Sequence, residues 1–301
     1  MSAAAAVAPL RFGVSEPYDL ALSLRAAASF AHGRVDPAAT TEEVLRSPVR
    51  IAGVATLLEV REAGTEPPAL EAIARPGASP EAVEAMARRL VNADLDLLPF
   101  YERTHDHPLL GPLTSSLRGL KAFRPATLFQ MLVMAATEQQ ISLVAAYHIY
   151  GRLVERFGEP VDGLMVFPRP QALAEAPLEA LRECGLSQRK AEYIGGLAQL
   201  VSSGNLDLEA LDSLPDDEVR ARIMAIRGFG LWSADYLLIR GLGRPDVVPE
   251  GDLGIQTLLG RLLGDGGRLT PEGVHRVLEP LAPYRGVAVF YLLAGTRLGL
   301  V

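Results

Sequence analysis

The sequence predicts a mostly helical protein opened by a smaller, β-rich segment. Three observations carry that expectation. From about Asp94 onward, apolar residues recur at helical spacing, and short loops rich in Gly, Pro, Asp and Ser separate the stretches. Residues 10 to about 75 instead read as short strands between turns. Late in the chain, two amphipathic segments, 216–226 and 231–240, are joined by Gly228-Phe229-Gly230.

In order, residues 10–14 read as a strand, and 49–61 hold one or two more, with Gly53 at a turn or bulge. Residues 63–68 form a turn before a strand over 69–74, and 17–28 suit a helix. Residues 80–90 form an amphipathic helix with Ser79 as N-cap and Pro80 at its first position. A helix over 95–102 contains Pro99, a potential break. The turn from Thr104 to Pro108 sets the expected boundary between an N-terminal domain, 1–108, and a helical domain, 109–301. Residues 127–157 read as one long helix or two, ended by Gly158 and Pro160. Further helices are expected over 177–184, 187–202, 208–214, 271–279 and 285–298. No internal repeat or low-complexity tract appears.

A length of 301 residues suits two domains, and a hydrophobic content of 49% excludes a disordered chain. No run of eighteen apolar residues suggests a membrane span. Residues 1–9 are Ala-rich but lack the basic start of a signal peptide, so a tail is expected there. The single cysteine, Cys184, excludes internal disulfides and a four-cysteine iron–sulfur cluster, and is expected to be buried and inert. A cytoplasmic location follows as the default. A formal charge of −7 argues against a general nucleic-acid coat protein. Local charge matters more than the sum, and from Arg220 onward arginines outnumber acids.

A Gly-x-Gly turn between helices requires positive φ or close backbone approach. The free N–H groups of the helix that begins after Gly230 form an anion site suited to a phosphate. That helix ends near Gly241 and Gly243, with Pro245 as a stop. An extended piece, 246–249, follows, and Glu250-Gly251-Asp252 opens a helix over 253–263. On position alone Asp252 is equally an N-cap, without a capping box because Ile255 stands three residues on. His105 and His107 flank Asp106 in a turn that lacks a third metal ligand, so a surface loop is expected. His32, His148 and His275 have no partners by spacing.

These segments resemble the helix-hairpin-helix DNA glycosylases, and within them the 3-methyladenine DNA glycosylase II type. The resemblance rests on Arg227-Gly228-Phe229-Gly230-Leu231-Trp232-Ser233-Ala234 and on the loop Val247-Val248-Pro249-Glu250-Gly251-Asp252-Leu253. Glu138-Gln139-Gln140-Ile141-Ser142, Phe167-Pro168-Arg169-Pro170 and, more weakly, Pro17-Tyr18-Asp19-Leu20 extend it. It implies a helical core of two subdomains behind a small α/β domain with an antiparallel sheet.

The resemblance makes Asp252 the catalytic carboxylate, which would stabilise an oxocarbenium-like sugar and orient or deprotonate water. Trp232 stands where bifunctional relatives carry a Schiff-base lysine, so a monofunctional enzyme is expected. Trp232, Tyr236, Gln139 and Tyr291 are the expected base-pocket residues, since aromatic faces favour cationic alkylated purines. Gly228, Phe229, Gly230, Leu231, Trp232, Ser233 and Ala234 would grip the DNA backbone, and Gln140 would fill the gap left by the flipped base. Gln139 and Gln140 could equally cross-link helices. The chain departs from a well-known relative at Gln140, where that protein has an apolar wedge, and at Leu293, where it has a pocket aromatic; Phe290 or Tyr291 would compensate. Carbonyls of Ile226 and Phe229 would hold a Na+ or K+ ion beside a phosphate. The expected function is that of a monomeric glycosylase acting on alkylated purines in double-stranded DNA. The alternatives are a glycosylase for oxidised or deaminated bases and a non-catalytic DNA-binding module.

Overall fold

A computed structural model describes residues 8–30, 43–65, 67–75 and 78–301. Most of the expected N-terminal tail and His32 lie outside the described residues. The chain divides into two compact units that interleave in sequence rather than meeting at one cut after residue 108. The first comprises Met1–Leu98, Leu117–Ala126 and Leu153–Arg169; the second comprises Pro99–Ser116, Thr127–Arg152 and Pro170–Val301.

The first unit is built on a four-stranded antiparallel sheet: β1 (Leu10–Gly13), β2 (Val44–Ile51), β3 (Val54–Thr65) and β4 (Pro68–Arg75), in the order β1-β4-β3-β2. Pro48, which has no N–H for a ladder, lies on edge strand β2. Ala52 (φ 48°) and Gly53 (φ 83°) form the two-residue turn of the β2–β3 hairpin, where both central residues need positive φ. Helices α1 (Leu20–Phe30) and α2 (Pro80–Leu90) complete the α/β layer. Ser79 caps α2 by accepting from Ala82 N, and Pro80 follows it, as the sequence predicts. Phe12, Leu20, Leu24, Leu58, Val60, Leu70, Val83 and Leu90 form a shared apolar core. The sequence reading missed a second hairpin here, β5 (Glu159–Val161) with β6 (Leu164–Val166). Its turn, Asp162 (φ 50°) and Gly163 (φ 78°), is the Asp-Gly type favoured in hairpins.

The second unit is helical. Pro99 lies in the first turn of helix α3 (Leu98–Thr104) instead of breaking it, because the first turn has no need of its N–H. The turn after α3 does not run on as loop: α4 (Leu110–Ser116) follows, and His107 Nδ1 accepts from Leu109 N and Leu110 N at its start. His105 bonds Asp106 at 2.9 Å. The long helical stretch is two helices, α5 (Leu128–Glu138) and α6 (Leu143–Phe157). Thr127 caps α5 through Gln130 N, and Gln140, at φ 56°, turns the chain between them. Then come α7 (Pro170–Ala174), which sequence reasoning missed, α8 (Leu178–Glu183), α9 (Gln188–Ser202), α10 (Asp216–Met224), α11 (Leu231–Tyr236), α12 (Leu253–Leu263), α13 (Pro271–Leu278) and α14 (Arg285–Arg297). Cys184 is buried, as expected, and its thiol donates to Ala180 O at 3.5 Å.

Candidate active site

The hairpin helices α10 and α11 are clasped by a charge pair. Arg220 on α10 donates to the buried Asp235 on α11 at 2.8 Å. Burial raises the Asp235 pKa, and Arg220 works against that rise. Three acids, Asp216, Asp217 and Glu218, fill the first turn of α10, where negative charge is favoured.

The two hairpin glycines do different jobs. Gly228 has φ 95°, and a Cβ there would lie 2.2 Å from the Tyr193 ring, so both its conformation and its space exclude a side chain. Gly230 has ordinary extended backbone, and a Cβ there would meet nothing within 4 Å. It is the N-cap of α11 and offers no side-chain cap, which leaves first-turn N–H groups to an outside acceptor. The turn closes through Phe229 N donating to Ile226 O at 3.1 Å.

Gln139 braces this turn from below. Its side-chain amide donates to Gly228 O (3.0 Å) and to Ser233 Oγ (3.2 Å). It therefore cross-links α5 to the hairpin, and its amide is not a free pocket wall as the resemblance implied. Lys190 is the second brace. Its ammonium donates to Thr137 O (2.8 Å) and Gln139 O (2.6 Å), satisfying carbonyls at the end of α5. Gln140, the next residue, is exposed.

Asp252 is the N-cap of α12, with Oδ1 accepting from Ile255 N at 3.0 Å. Its other oxygen, Oδ2, accepts from the Trp232 indole at 2.8 Å. The structural and chemical readings of this residue thus coincide. The loop before it is anchored at both ends. Asp246 accepts from the Arg285 guanidinium (2.7 Å) and from Arg285 N (3.1 Å). Glu250 pairs with His275 at 3.1 Å, and its carbonyl accepts from Gln256 Nε2 at 2.9 Å.

Trp232 stacks on Tyr236, with ring centroids 4.7 Å apart and planes 17° from parallel. No base fits between rings at that spacing, so Tyr236 backs Trp232 and is not the other half of a sandwich. Behind it lies a half-buried polar cluster that sequence reasoning did not find. Arg240 donates to the Tyr236 hydroxyl at 2.8 Å, and the Glu138 carboxylate interacts electrostatically with both groups. Burial raises the Glu138 pKa, while Arg240 and the Tyr236 hydroxyl oppose the rise and Asp252 adds to it. The signal for this cluster was a lone carboxylate closing the apolar run of α5.

Tyr291 is corrected outright. It is fully buried, its hydroxyl lies 2.7 Å from that of Tyr101, and its ring packs edge-on against Phe100 at 5.1 Å. It is core, and Phe290 packs edge-on against it at 6.2 Å. A cleft of about 460 Å³ beside the hairpin is lined by residues including Tyr193, Leu200, Ile226 and Arg227. Trp232, Tyr236 and Asp252 do not line it.

Residues 133–283 match the family of HhH-GPD superfamily base excision DNA repair proteins. Two proteins of Bacillus subtilis are related. The putative DNA-3-methyladenine glycosylase YfjP is 30% identical over 55% of this chain and 58% of its own. A DNA-3-methyladenine glycosylase is 31% identical over 66% of this chain and 67% of its own. The chain thus spans about three fifths to two thirds of these relatives. A 3-methyladenine DNA-glycosylase from Archaeoglobus fulgidus superposes with a TM-score of 0.82 over 96% of this chain and 98% of its own, at 24% identity, which speaks for the fold. The hairpin, the aspartate loop and the helical unit around them place the chain in one family: it belongs to the HhH-GPD superfamily of base excision DNA repair proteins.

Proposed function

We propose that the chain is a monofunctional DNA glycosylase that releases alkylated purines from double-stranded DNA, with Asp252 as its catalytic carboxylate. The observation that carries this reading is the Asp252 carboxylate itself. Each oxygen receives one N–H, from Ile255 and from Trp232, so the group is fixed in place while lone pairs on both oxygens stay free. A cationic alkylated purine departs with the electron pair of the C1′–N bond, which cancels its charge. The sugar carbon left behind is oxocarbenium-like, and a nearby carboxylate stabilises it. Water then bonds to C1′ and gives its proton to Asp252 or to solvent.

The hairpin supports backbone binding. The unblocked first-turn N–H groups behind Gly230 suit a phosphate, and Phe229, Leu231, Trp232, Ser233 and Ala234 surround them. A bound Na+ or K+ would use the neutral carbonyls of Ile226 and Phe229; the Ile226 oxygen accepts one hydrogen bond and keeps a lone pair for such an ion. Gln140, exposed at a left-handed turn beside the braced Gln139, is placed in this reading as the side chain that enters the duplex. Lyase chemistry would need a free amine to form an imine with the sugar. Lys121 and Lys190 are the chain's two lysines, and each ammonium is spent on two backbone carbonyls.

The test is base release from methylated duplex DNA by wild type and Asp252→Asn. Release of 3-methyladenine or 7-methylguanine by wild type, lost in the variant, is the expected result. Release of only oxidised or deaminated bases would overturn the substrate class, and retained release by Asp252→Asn would overturn the role of the carboxylate.

A further inference from the structure

A carboxylate that stabilises a short-lived cation works only if it is held in place. Asp252 Oδ1 is held by its own helix, through Ile255 N. Oδ2 is held by Trp232, a side chain with two rotatable bonds, reaching across twenty residues of chain. The hydrogen bond is therefore only as well placed as the indole. What fixes the indole, besides Asp252 itself, is its stack on Tyr236.

Tyr236 is in turn held at its hydroxyl. Arg240, one helical turn on, donates to it at 2.8 Å, with the guanidinium 5.3 Å from the ring centroid. Arg240 lies on a π-turn, Leu237–Gly241, that continues α11, a local widening often found at functional sites. Glu138 on α5 interacts electrostatically with the same hydroxyl and with the Arg240 guanidinium. Glu138 and Arg240 are of opposite charge, and each stabilises the ionised form of the other. The second oxygen of Glu138, Oε2, is buried without a hydrogen-bond partner, so this carboxylate depends on Arg240 for compensation. Such a pair is costly to bury and adds little stability over an apolar pair of the same shape. Its location, one ring behind the indole that holds Asp252, gives it a use.

We propose that Tyr236, anchored by Arg240, whose charge Glu138 balances, is a positioning residue that holds Trp232 and through it Asp252. This rests on the base-releasing role assigned to Asp252. The order of the effects follows from the geometry. Loss of the ring removes the stack and frees the indole. Loss of the hydroxyl alone keeps the stack and removes its anchor.

Trp232 is the only tryptophan in the chain, so its emission reports on this stack alone. The experiment compares wild type, Tyr236→Phe and Tyr236→Leu by three measurements: tryptophan emission and its quenching by acrylamide, affinity for a duplex with an abasic-site analogue, and single-turnover base release from methylated duplex. Tyr236→Leu is expected to shift the emission, raise quenching and slow base release tenfold or more, with duplex affinity within about twofold. Tyr236→Phe is expected to fall between, near threefold in rate. Unchanged quenching in Tyr236→Leu would overturn the proposal, because the ring would then not hold the indole. Changed quenching with an unchanged rate would overturn it as well. A wild type that releases no base would instead sink the activity, and the quenching series would still decide whether Tyr236 holds Trp232. Should Tyr236→Leu fail to fold by circular dichroism, Tyr236→Phe decides alone: a wild-type rate and wild-type quenching would both count against the anchor.

Discussion

The indole nitrogen of Trp232 donates to Asp252 Oδ2 at 2.8 Å, which ties the hairpin helix to the start of α12. One bond thus joins the element suited to a DNA backbone to the carboxylate suited to its sugar. Trp232→Phe keeps an aromatic ring on Tyr236 and removes the donor. It is expected to leave duplex affinity within a few-fold and to lower the single-turnover rate by about ten- to a hundredfold, the range of one lost charge-assisted hydrogen bond. A rate equal to wild type would show that the bond does not position the carboxylate.

Asp252 carries a cap and the proposed chemistry on one side chain, and two substitutions separate them. Asparagine caps a helix as well as aspartate does, so Asp252→Asn should melt within about 0.5 kcal/mol of wild type while base release collapses. Asp252→Ala should lose base release and also about 1 kcal/mol of stability. Thermal melting beside base release checks the pair. Equal melting of the two variants would mean that the bond to Ile255 N contributes nothing to stability.

The hairpin glycines should likewise part company. Gly228→Ala places a methyl in a left-handed backbone and against the Tyr193 ring, and is expected to destabilise the chain by about 2 kcal/mol or more. Gly230→Ala strains nothing and should be near neutral in stability. Its methyl would stand at the mouth of the α11 N-terminus, so weaker binding to any duplex, damaged or not, is expected. Full duplex affinity in Gly230→Ala would remove the hairpin N–H groups from the DNA contact.

Much of this is legible in the sequence alone. The Gly-x-Gly between two amphipathic segments and an aspartate opening the next helix are local patterns, and local patterns survive in a sequence. The turn at Gly53 and the cap at Ser79 belong to the same class. What could not be read is which polar atoms meet across long chain separations. Gln139 and Gly228 are 89 residues apart, and Lys190 and Gln139 are 51 apart. Tyr291 shows the same limit from the other side. An aromatic on an apolar helix reads alike as pocket wall or core, and its partner, Tyr101, lies 190 residues away. The β5–β6 hairpin had a legible turn, Asp162-Gly163, but strands of three residues are too short to show alternation.

Lys190 gives a prediction about the amines. With its ammonium on two carbonyls, it is not expected to form an imine with an abasic sugar. Borohydride trapping on abasic DNA should yield no covalent adduct with wild type. An adduct that disappears in Lys190→Met would overturn the monofunctional reading. Lys190→Met is also expected to loosen the end of α5, seen as weaker binding to a duplex with an abasic-site analogue, because Gln139 braces the hairpin from that turn.

Lys121 in the first unit gives a pH dependence of known sign. Its side chain is almost wholly buried, and the ammonium donates to Ser15 O (2.9 Å) and Ala93 O (3.1 Å) beside the Tyr18 ring. Burial pushes its pKa down from 10.5 to about 8, with Asp94 and Asp96 opposing the fall and Arg88 adding to it. The unfolded chain therefore binds more protons than the folded one between about pH 8 and 10.5, and stability contributed by this group rises with pH across that window. Below about pH 8 the full penalty of burying the charge persists, and above 10.5 it is gone. A shift of this size corresponds to roughly 3 kcal/mol at most. Urea unfolding of wild type and Lys121→Met at pH 7.5 and pH 10 isolates the effect from other titrating groups. The difference between the two proteins should change by 1–3 kcal/mol in favour of wild type at the higher pH, by about that order from the same linkage. A difference independent of pH would mean that Lys121 keeps its ordinary proton affinity in the folded chain.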